Sequence, residues 1–161
     1  MPHSQSIDFN TDSAANVMAL MNHLISLLKS YVPYSDVDID ALYNVGVQFY
    51  QAGKFENASN VFGMVNMFAP FNSLYLCAQA KCLKSLNAYE DAYEIFHLAW
   101  TLDQRLPESA LHAAECLMLA GRKNDARGLI DEVLGTPAMS NQNRYLREKA
   151  EAWLTLLTGK K

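Results

Sequence analysis

The sequence contains few of the features that mark secreted, membrane or nucleic-acid-binding proteins. Its 3 cysteines are an odd number, which would leave one thiol unpaired in a disulfide framework and therefore favours a reduced compartment. Lysine and arginine total 13 against 17 acidic residues, and a net charge of −4 lacks the basic surplus of nucleic-acid-binding proteins. The longest apolar stretch, residues 17–28, is interrupted by polar residues and is too short to cross a membrane. We therefore expect a cytoplasmic protein without membrane insertion.

Motifs that carry chemistry are also scarce. The sequence has neither a phosphate-binding loop nor a dinucleotide fingerprint, and its 4 histidines are scattered. His112 and Cys116 lie one helical turn apart, but a metal site needs two further ligands that the surrounding sequence does not supply. The sequence thus predicts no catalytic residue, no metal site and no cofactor. A metal-dependent enzyme built on His112 and Cys116 is the least favoured alternative.

A 34-residue pattern occurs three times between residues 39 and 140. Small residues return at two places in each copy, and the two sets are Gly46, Ala80 and Ala114, and Ala58, Ala92 and Ala126. Cys82 and Cys116 keep the same spacing, which favours packing over chemistry for these two thiols. A period of about 34 with small residues at fixed places is typical of tetratricopeptide repeats, which are paired helices stacked into a solenoid. The sequence therefore predicts an all-α fold.

We predict a single domain over residues 1–161. It comprises an N-terminal tail and helix, three repeats and a capping helix, at residues 1–38, 39–72, 73–106, 107–140 and 141–161. The core residues expected from the first helix of repeat one are Leu42, Val45, Gly46 and Phe49. Asn87 is expected to adopt the left-handed conformation of a turn glycine, and Ser140 is expected to cap the last helix. The packing face expected for that helix comprises Leu146, Ala150, Trp153 and Leu157.

A helix that precedes the repeats is predicted from residue 12 or 13 to Tyr31, and Pro33 ends it. Its apolar residues alternate steps of three and four, and they are Val17, Leu20, Leu24 and Leu27. Such a stripe is buried on repeat one or against a second copy of the chain, and the two alternatives are compatible. We therefore predict that these four residues take part in a homodimer.

The first helix of each predicted repeat lines the inner, concave surface of the solenoid. The positions offset from its packed seam are Tyr43, Val47, Tyr50, Leu74, Cys77, Lys81, Lys84, Leu111, Glu115 and Met118. Phe55 is expected in the core, and we leave open that its ring also forms a wall of the groove. These positions predict an apolar trough with a charged rim, which suits an extended peptide with hydrophobic anchors. The alternative is that some of them pack on the flanking helices.

Two stretches of the chain resemble one particular group of repeat proteins. One runs from Ala41 to Phe55 and continues with Ala58, and the other is His112-Ala-Ala-Glu-Cys-Leu117. Both are similar to the class II chaperones of bacterial type III secretion, which serve the hydrophobic translocator proteins, and the resemblance covers about residues 36–135. It implies an all-helical fold with three repeats between flanking helices, a homodimer and a location in the bacterial cytoplasm.

The resemblance also implies how the chain acts. A short N-terminal segment of a translocator would lie along the concave face, over Tyr43, Val47, Tyr50 and Phe55, and the chaperone would keep translocators soluble and apart before export. Lys123 stands where the first two repeats have an aromatic residue, so the chain departs from the family pattern at that position. The alternative function is a general tetratricopeptide-repeat adaptor or scaffold for another protein assembly.

Overall fold

The computed structural model describes His23, Leu27 and residues 36–139 and 143–159. The chain divides into two compact units, residues 1–35 and 36–161. In the first unit only His23 and Leu27 are described, and both are helical. The other residues of the predicted dimerisation stripe lie outside the described residues, and they are Val17, Leu20 and Leu24. The homodimer and the assignment of one domain to residues 1–161 therefore stay predictions.

Helices follow one another in pairs in the second unit. The seven helices described there are α1 (Asp36–Gln51), α2 (Phe55–Phe68), α3 (Ser73–Ser85), α4 (Tyr89–Leu102), α5 (Pro107–Leu119), α6 (Lys123–Leu134) and α7 (Arg144–Thr158). A short 3₁₀ turn at Pro137–Met139 precedes α7. Each helix from α1 to α6 packs against the next one along the chain, and α7 packs against α5 and α6. The predicted all-α fold is confirmed, and no helix in the described part is both long enough and apolar enough to span a membrane.

The small residues of the repeat pattern lie where helices pack closely. Ala58, Ala80, Ala92, Ala114 and Ala126 are all fully buried. At Gly46 the approach is closer still, because a Cβ added there would lie 2.7 Å from Cε1 of Phe62. Alanine or glycine is needed at these positions because a larger side chain would force the helix axes apart.

Helices α1 and α2, α3 and α4, and α5 and α6 form the first, second and third hairpins. The turns inside these hairpins contain a residue in the same left-handed backbone conformation. Gly53 and Gly121 have φ values of 72° and 80°, and Asn87, at the equivalent place in the second hairpin, has a φ of 61°. Asparagine tolerates this left-handed conformation better than most residues other than glycine. Its side chain also accepts a 2.6 Å hydrogen bond from the hydroxyl of Tyr89. The prediction for Asn87 is confirmed.

Helix α7 covers the end of the stack formed by α5 and α6. The residues predicted to face the stack do so: Ala150 is buried, and the others pack against the core, namely Leu146, Trp153 and Leu157. The outer side carries charges, and the ammonium of Lys149 lies 4.6 Å from the ring centre of Trp153. The predicted cap, Ser140, lies outside the described residues, and Asn143 precedes the helix.

One predicted core residue of the first hairpin is wrong. Val45 is 41% exposed, whereas Gly46, next to it in α1, is buried. The equivalent residue of the third hairpin, Ala113, is fully buried because α5 lies between other hairpin helices. Helix α1 begins the stack of the second unit, so no earlier helix of that unit covers this side of it.

Candidate functional site

A groove between α1 and α3 encloses a cavity of about 310 Å³. Its lining is almost entirely apolar or aromatic, and it consists of Tyr43, Val47, Tyr50, Phe62, Leu74, Cys77, Ala78 and Lys81. Leu74 and Tyr50 are exposed large hydrophobic residues, at 62% and 36% of their surface. A concave, mostly apolar site with few polar groups is the usual form of a binding site for hydrophobic side chains.

Ring contacts hold the aromatic residues of the groove in place. The ring of Tyr43 lies 5.3 Å from that of Phe62 and 5.1 Å from that of Tyr75, measured between centroids. The hydroxyl of Tyr75 donates a 3.0 Å hydrogen bond to Oδ1 of Asp40, which ties α3 to α1. Because these rings are packed on several sides, the groove is formed before any guest arrives, and this reduces the entropy lost on binding.

The structure brings most of the predicted groove residues together. Those that line the cavity are Tyr43, Val47, Tyr50, Leu74, Cys77 and Lys81. Phe55 lies outside the lining and packs its ring edge-on against Tyr50, with centroids 5.3 Å apart. Lys84 and Glu115 belong to a neighbouring polar cluster, and Met118 is half-buried against the core. The role of these residues in binding stays a prediction.

Leu111 is the groove prediction that the structure contradicts. It is only 1% exposed and belongs to the main core cluster together with Phe96 and Leu117. Helix α5 contacts α4, α6 and α7, so more of its circumference is buried than the repeat pattern alone predicts. Leu111 therefore stabilises the fold and is not available to a guest.

Sequence reasoning missed two residues of the lining, Phe62 and Ala78. Phe62 occupies the repeat position of Phe96 and Ile130, which is a core position, and it is only 2% exposed. It reaches the groove floor because Gly46 opposite it has no side chain, whereas the equivalent residues Ala80 and Ala114 have one. The glycine in place of alanine was the available signal.

A polar cluster links α3 and α5 beside the groove. Nζ of Lys84 lies 3.0 Å from Oε2 of Glu115, and the same oxygen lies 3.3 Å from Nδ1 of His112. The His112 ring stacks on Phe96, with centroids 5.1 Å apart. Hydrogen bonding from His112, helped by the hydrogen bond and charge of Lys84, lowers the pKa of Glu115 to about 2 against the opposing effect of burial.

This cluster is suited to joining two hairpins. Cys116, which the sequence placed one turn from His112, is fully buried, and burial raises the pKa of its thiol to about 11. Burial raises the pKa of the Cys82 thiol to about 11 as well, so both thiols are neutral at pH 7 and pack as small apolar groups. Among the residues described, no group of His, Cys, Asp and Glu is arranged to hold a metal ion.

Glu115→Gln is expected to destabilise the protein at neutral pH by about 1 kcal/mol, since the side chain is partly exposed and its ion pair is screened. The depressed pKa means that the carboxylate contributes stability above its unfolded value of 4.5, and that this is lost as the pH falls towards 2. The stability difference between wild type and variant, measured by urea unfolding at pH 7 and pH 3, is expected to shrink at the lower pH.

Glu148→Gln is the matched control, because Glu148 pairs with Arg144 on the exposed side of α7. This change is expected to leave stability within about 0.5 kcal/mol of wild type at both pH values. A Glu115→Gln difference that stays constant between pH 7 and pH 3 would contradict the role assigned to the carboxylate.

Known proteins resemble this chain in both sequence and structure, although no family model matches it. The low calcium response locus protein H of Yersinia pestis is 27% identical over 88 residues, which are 55% of this chain and 52% of that protein. The chain therefore matches about half the length of this curated relative. PcrH bound to the chaperone-binding region of PopD is 27% identical, with a TM-score of 0.72 over 79% of this chain and 96% of that chain.

Two further solved structures are similar to this chain in fold. PcrH from Pseudomonas aeruginosa is 27% identical, with a TM-score of 0.69 over 78% of this chain and 95% of that chain. The Yersinia enterocolitica type III secretion chaperone SycD in complex with a peptide of the translocator YopD has a TM-score of 0.71 at 23% identity, over 78% and 96% of the two chains. The structural neighbours are thus chaperones of the group that the sequence resembles, and the chain has the fold of the type III secretion translocator chaperones.

Proposed function

We propose that this protein is a chaperone of a bacterial type III secretion system. It binds hydrophobic translocator subunits in the cytoplasm, through an extended N-terminal segment laid in the groove between α1 and α3, and keeps them soluble and apart until export. The observation that carries the proposal is the preformed apolar groove itself, in a fold whose relatives PcrH and SycD are bound to segments of PopD, PopB and YopD.

The physical requirements of this task match the site. A translocator has segments made for a membrane, and such segments aggregate in water through their exposed apolar surface. A groove that buries one such hydrophobic segment prevents that segment from aggregating. This binding needs no nucleotide or metal. At about 310 Å³ the cavity has room for anchoring side chains of a peptide, and the remaining contacts extend along the groove.

Co-expression with the pore-forming translocator candidates of the same gene cluster tests the proposal. A candidate that is insoluble alone is expected to become soluble and to co-purify with this protein. Light scattering on the purified chain tests the proposed homodimer, for which SycD, solved as an alternative dimer, is the structural precedent. Failure of every candidate to co-purify, while all remain soluble alone, would overturn the chaperone function.

Tyr50→Asp is expected to weaken binding of a co-purifying translocator by about 2 kcal/mol, or roughly thirtyfold in Kd. Tyr50 lines the cavity and is partly exposed, so the substitution introduces a charge into the groove with little loss of core packing. Tyr43 is a poorer probe, because its ring packs against Phe62 and Tyr75 and its replacement would also destabilise the hairpin. Calorimetry measures the affinity, and thermal unfolding checks the fold.

Tyr145→Asp supplies the control for this variant. Tyr145 is 74% exposed on α7, away from the groove lining, so the same change in chemistry is made at a site outside the groove. Affinity for the translocator is expected to stay within twofold of wild type. Equal losses for Tyr50→Asp and Tyr145→Asp would show that the translocator is not bound in the groove.

A further inference from the structure

Among the described residues that line the groove, Lys81 is the one with a charged side chain. The other lining residues are aliphatic, aromatic or, in the case of Cys77, a thiol with a pKa raised chiefly by burial. Lys81 follows Leu74 and Cys77 at intervals of seven and four residues along α3, so the three side chains share one face of that helix. The ammonium therefore lies at the end of the apolar floor that is nearer to the C-terminus of α3.

Lys81 has no ion-pair partner among the residues that the structure describes. Its neighbour Lys84 forms a 3.0 Å ion pair with Glu115 and is largely covered, whereas Lys81 is exposed and forms no ion pair with any described carboxylate. Within the described part of the chain, the Lys81 side chain is therefore open to solvent. The two lysines, three residues apart, thus differ in that Lys84 has a carboxylate partner among the described residues and Lys81 does not.

A guest that fills the groove changes the environment of Lys81. An apolar peptide would remove water from the ammonium without replacing its hydrogen bonds, and this desolvation opposes binding. A cationic residue at the same place would add repulsion. A carboxylate would restore a partner in surroundings of lowered dielectric, where the attraction between two charges is stronger than in water. The same lysine therefore favours one class of guest and disfavours two others.

We propose that Lys81 selects translocator segments in which an aspartate or glutamate follows or precedes the hydrophobic anchor, on the side of the groove nearer to Lys84. This inference rests on the proposed function, because it assumes that the groove holds an extended peptide. It adds the chemistry of that peptide: an apolar anchor over Tyr43, Val47 and Leu74, and one acidic side chain paired with Lys81.

A displayed library of twelve-residue peptides with one fixed central leucine tests this chemistry without knowledge of the client. Selection is carried out on the full chain and on three variants. Lys81→Met keeps the length of the side chain and removes its charge, Lys81→Glu reverses the charge, and Tyr50→Asp reports whether peptides bind in the groove. Lys123→Met is the matched control, since Lys123 is an exposed lysine outside the groove lining.

We expect selection on wild type and on Lys123→Met to enrich aspartate and glutamate on one side of the leucine. Lys81→Met is expected to lose that enrichment while it still selects apolar peptides, and Lys81→Glu is expected to enrich lysine and arginine at the same place. Apolar peptides without acidic enrichment, or enrichment that survives Lys81→Met, would overturn the role of Lys81 and leave the chaperone function standing. Selection unaffected by Tyr50→Asp would overturn both.

One selected peptide and its copy with asparagine in place of aspartate then give the size of the effect by fluorescence anisotropy. The aspartate peptide is expected to lose about tenfold in affinity on Lys81→Met, and the asparagine peptide less than twofold, because only the charged pair is broken. The tenfold difference is expected to shrink as salt is raised from 50 to 500 mM, since the pair stays partly exposed to solvent. Equal losses for the two peptides would show that Lys81 acts by packing and not by charge.

Discussion

Phe96→Ala is expected to lower the free energy of unfolding by about 3–5 kcal/mol, which is the usual range for deletion of a buried aromatic ring. Phe96 is fully buried and belongs to the largest core cluster, where it packs with small residues such as Ala80, Ala92 and Ala114. Alanine side chains cannot extend into the space that the ring leaves, so most of the cavity would persist. Urea unfolding followed by far-UV circular dichroism measures the change.

Two further substitutions serve as a milder variant and a control for Phe96→Ala. Phe96→Leu keeps part of the volume and is expected to be destabilised by about 1–2 kcal/mol, which provides a measurable variant if Phe96→Ala does not fold. Leu156→Ala, on a residue that is 74% exposed, is expected to change stability by less than about 0.5 kcal/mol. A loss below about 1.5 kcal/mol for Phe96→Ala would mean that the core around α4 and α5 closes over the gap.

Phe96 also connects the core to the polar cluster beside the groove. The His112 ring stacks on Phe96, and His112 in turn is hydrogen-bonded to Glu115, the partner of Lys84. Loss of the Phe96 ring therefore removes the support that orients His112. In Phe96→Leu the pH-dependent contribution of Glu115 is expected to be smaller than in wild type, because a less ordered imidazole holds the carboxylate less firmly.

Features that depend on local chemistry were predictable from the sequence. The left-handed turn at Asn87 follows from its repeat spacing to Gly53 and Gly121, which have the same backbone conformation. The burial of Cys82 and Cys116 follows from their equivalent positions in successive repeats. In each case equivalent residues adopt the same local structure in successive hairpins, so a prediction made for one hairpin holds for the others.

The burial predicted from the sequence was wrong where it depends on which other helices contact a given helix. Val45 and Leu111 occupy reasonable positions in the pattern, yet Val45 is exposed and Leu111 is buried. The repeat describes an average hairpin with another on each side, whereas α1 starts the described stack and α5 is covered further by α7. The exposure of side chains near the ends of the stack is determined by how the helices pack together, and the 34-residue period does not contain this information.

Part of the cavity lining was predictable from the sequence, but the electrostatics around it were not. Six of the predicted groove residues line one cavity because positions offset from the helix seam recur from one first helix to the next. Lys84 and Glu115 were assigned to a charged rim, and the structure shows that they neutralise each other across a sequence separation of 31 residues. A pairing over this distance depends on side-chain rotamers, which the sequence does not specify.

The groove shares the Phe62 side chain with a second, smaller cluster of buried residues. Phe62 belongs to the cluster with Ala58 and Cys82, and its ring also forms part of the groove floor against Tyr43. Packing of the hairpin therefore determines the shape of the site, and a change behind the ring is transmitted to the surface that a guest contacts. Gly46, which faces Phe62 from α1, is the residue at which this connection can be tested.

Gly46→Ala is expected to destabilise the protein by about 1–3 kcal/mol, although alanine is the better helix former by about 1 kcal/mol. The added Cβ would lie 2.7 Å from Cε1 of Phe62 and 2.9 Å from its Cδ1 and Cζ, and because the ring is only 2% exposed, the groove is the one side towards which it can yield. Gly128→Ala is the matched control, because Gly128 lies inside α6 and a Cβ there meets nothing within 4 Å. That variant is expected to be more stable than wild type by about 0.5–1 kcal/mol.

The two alanine variants are also expected to differ in binding. In Gly46→Ala the displaced Phe62 ring moves into the cavity or tilts against Tyr43, so a co-purifying translocator is expected to bind about tenfold more weakly, a loss of about 1.4 kcal/mol. In Gly128→Ala the groove is untouched and the affinity is expected to be that of wild type. Thermal unfolding and calorimetry on both variants separate the effects. If Gly46→Ala proved as stable as Gly128→Ala, the Phe62 ring would be free to yield, and a preformed groove floor could not account for binding.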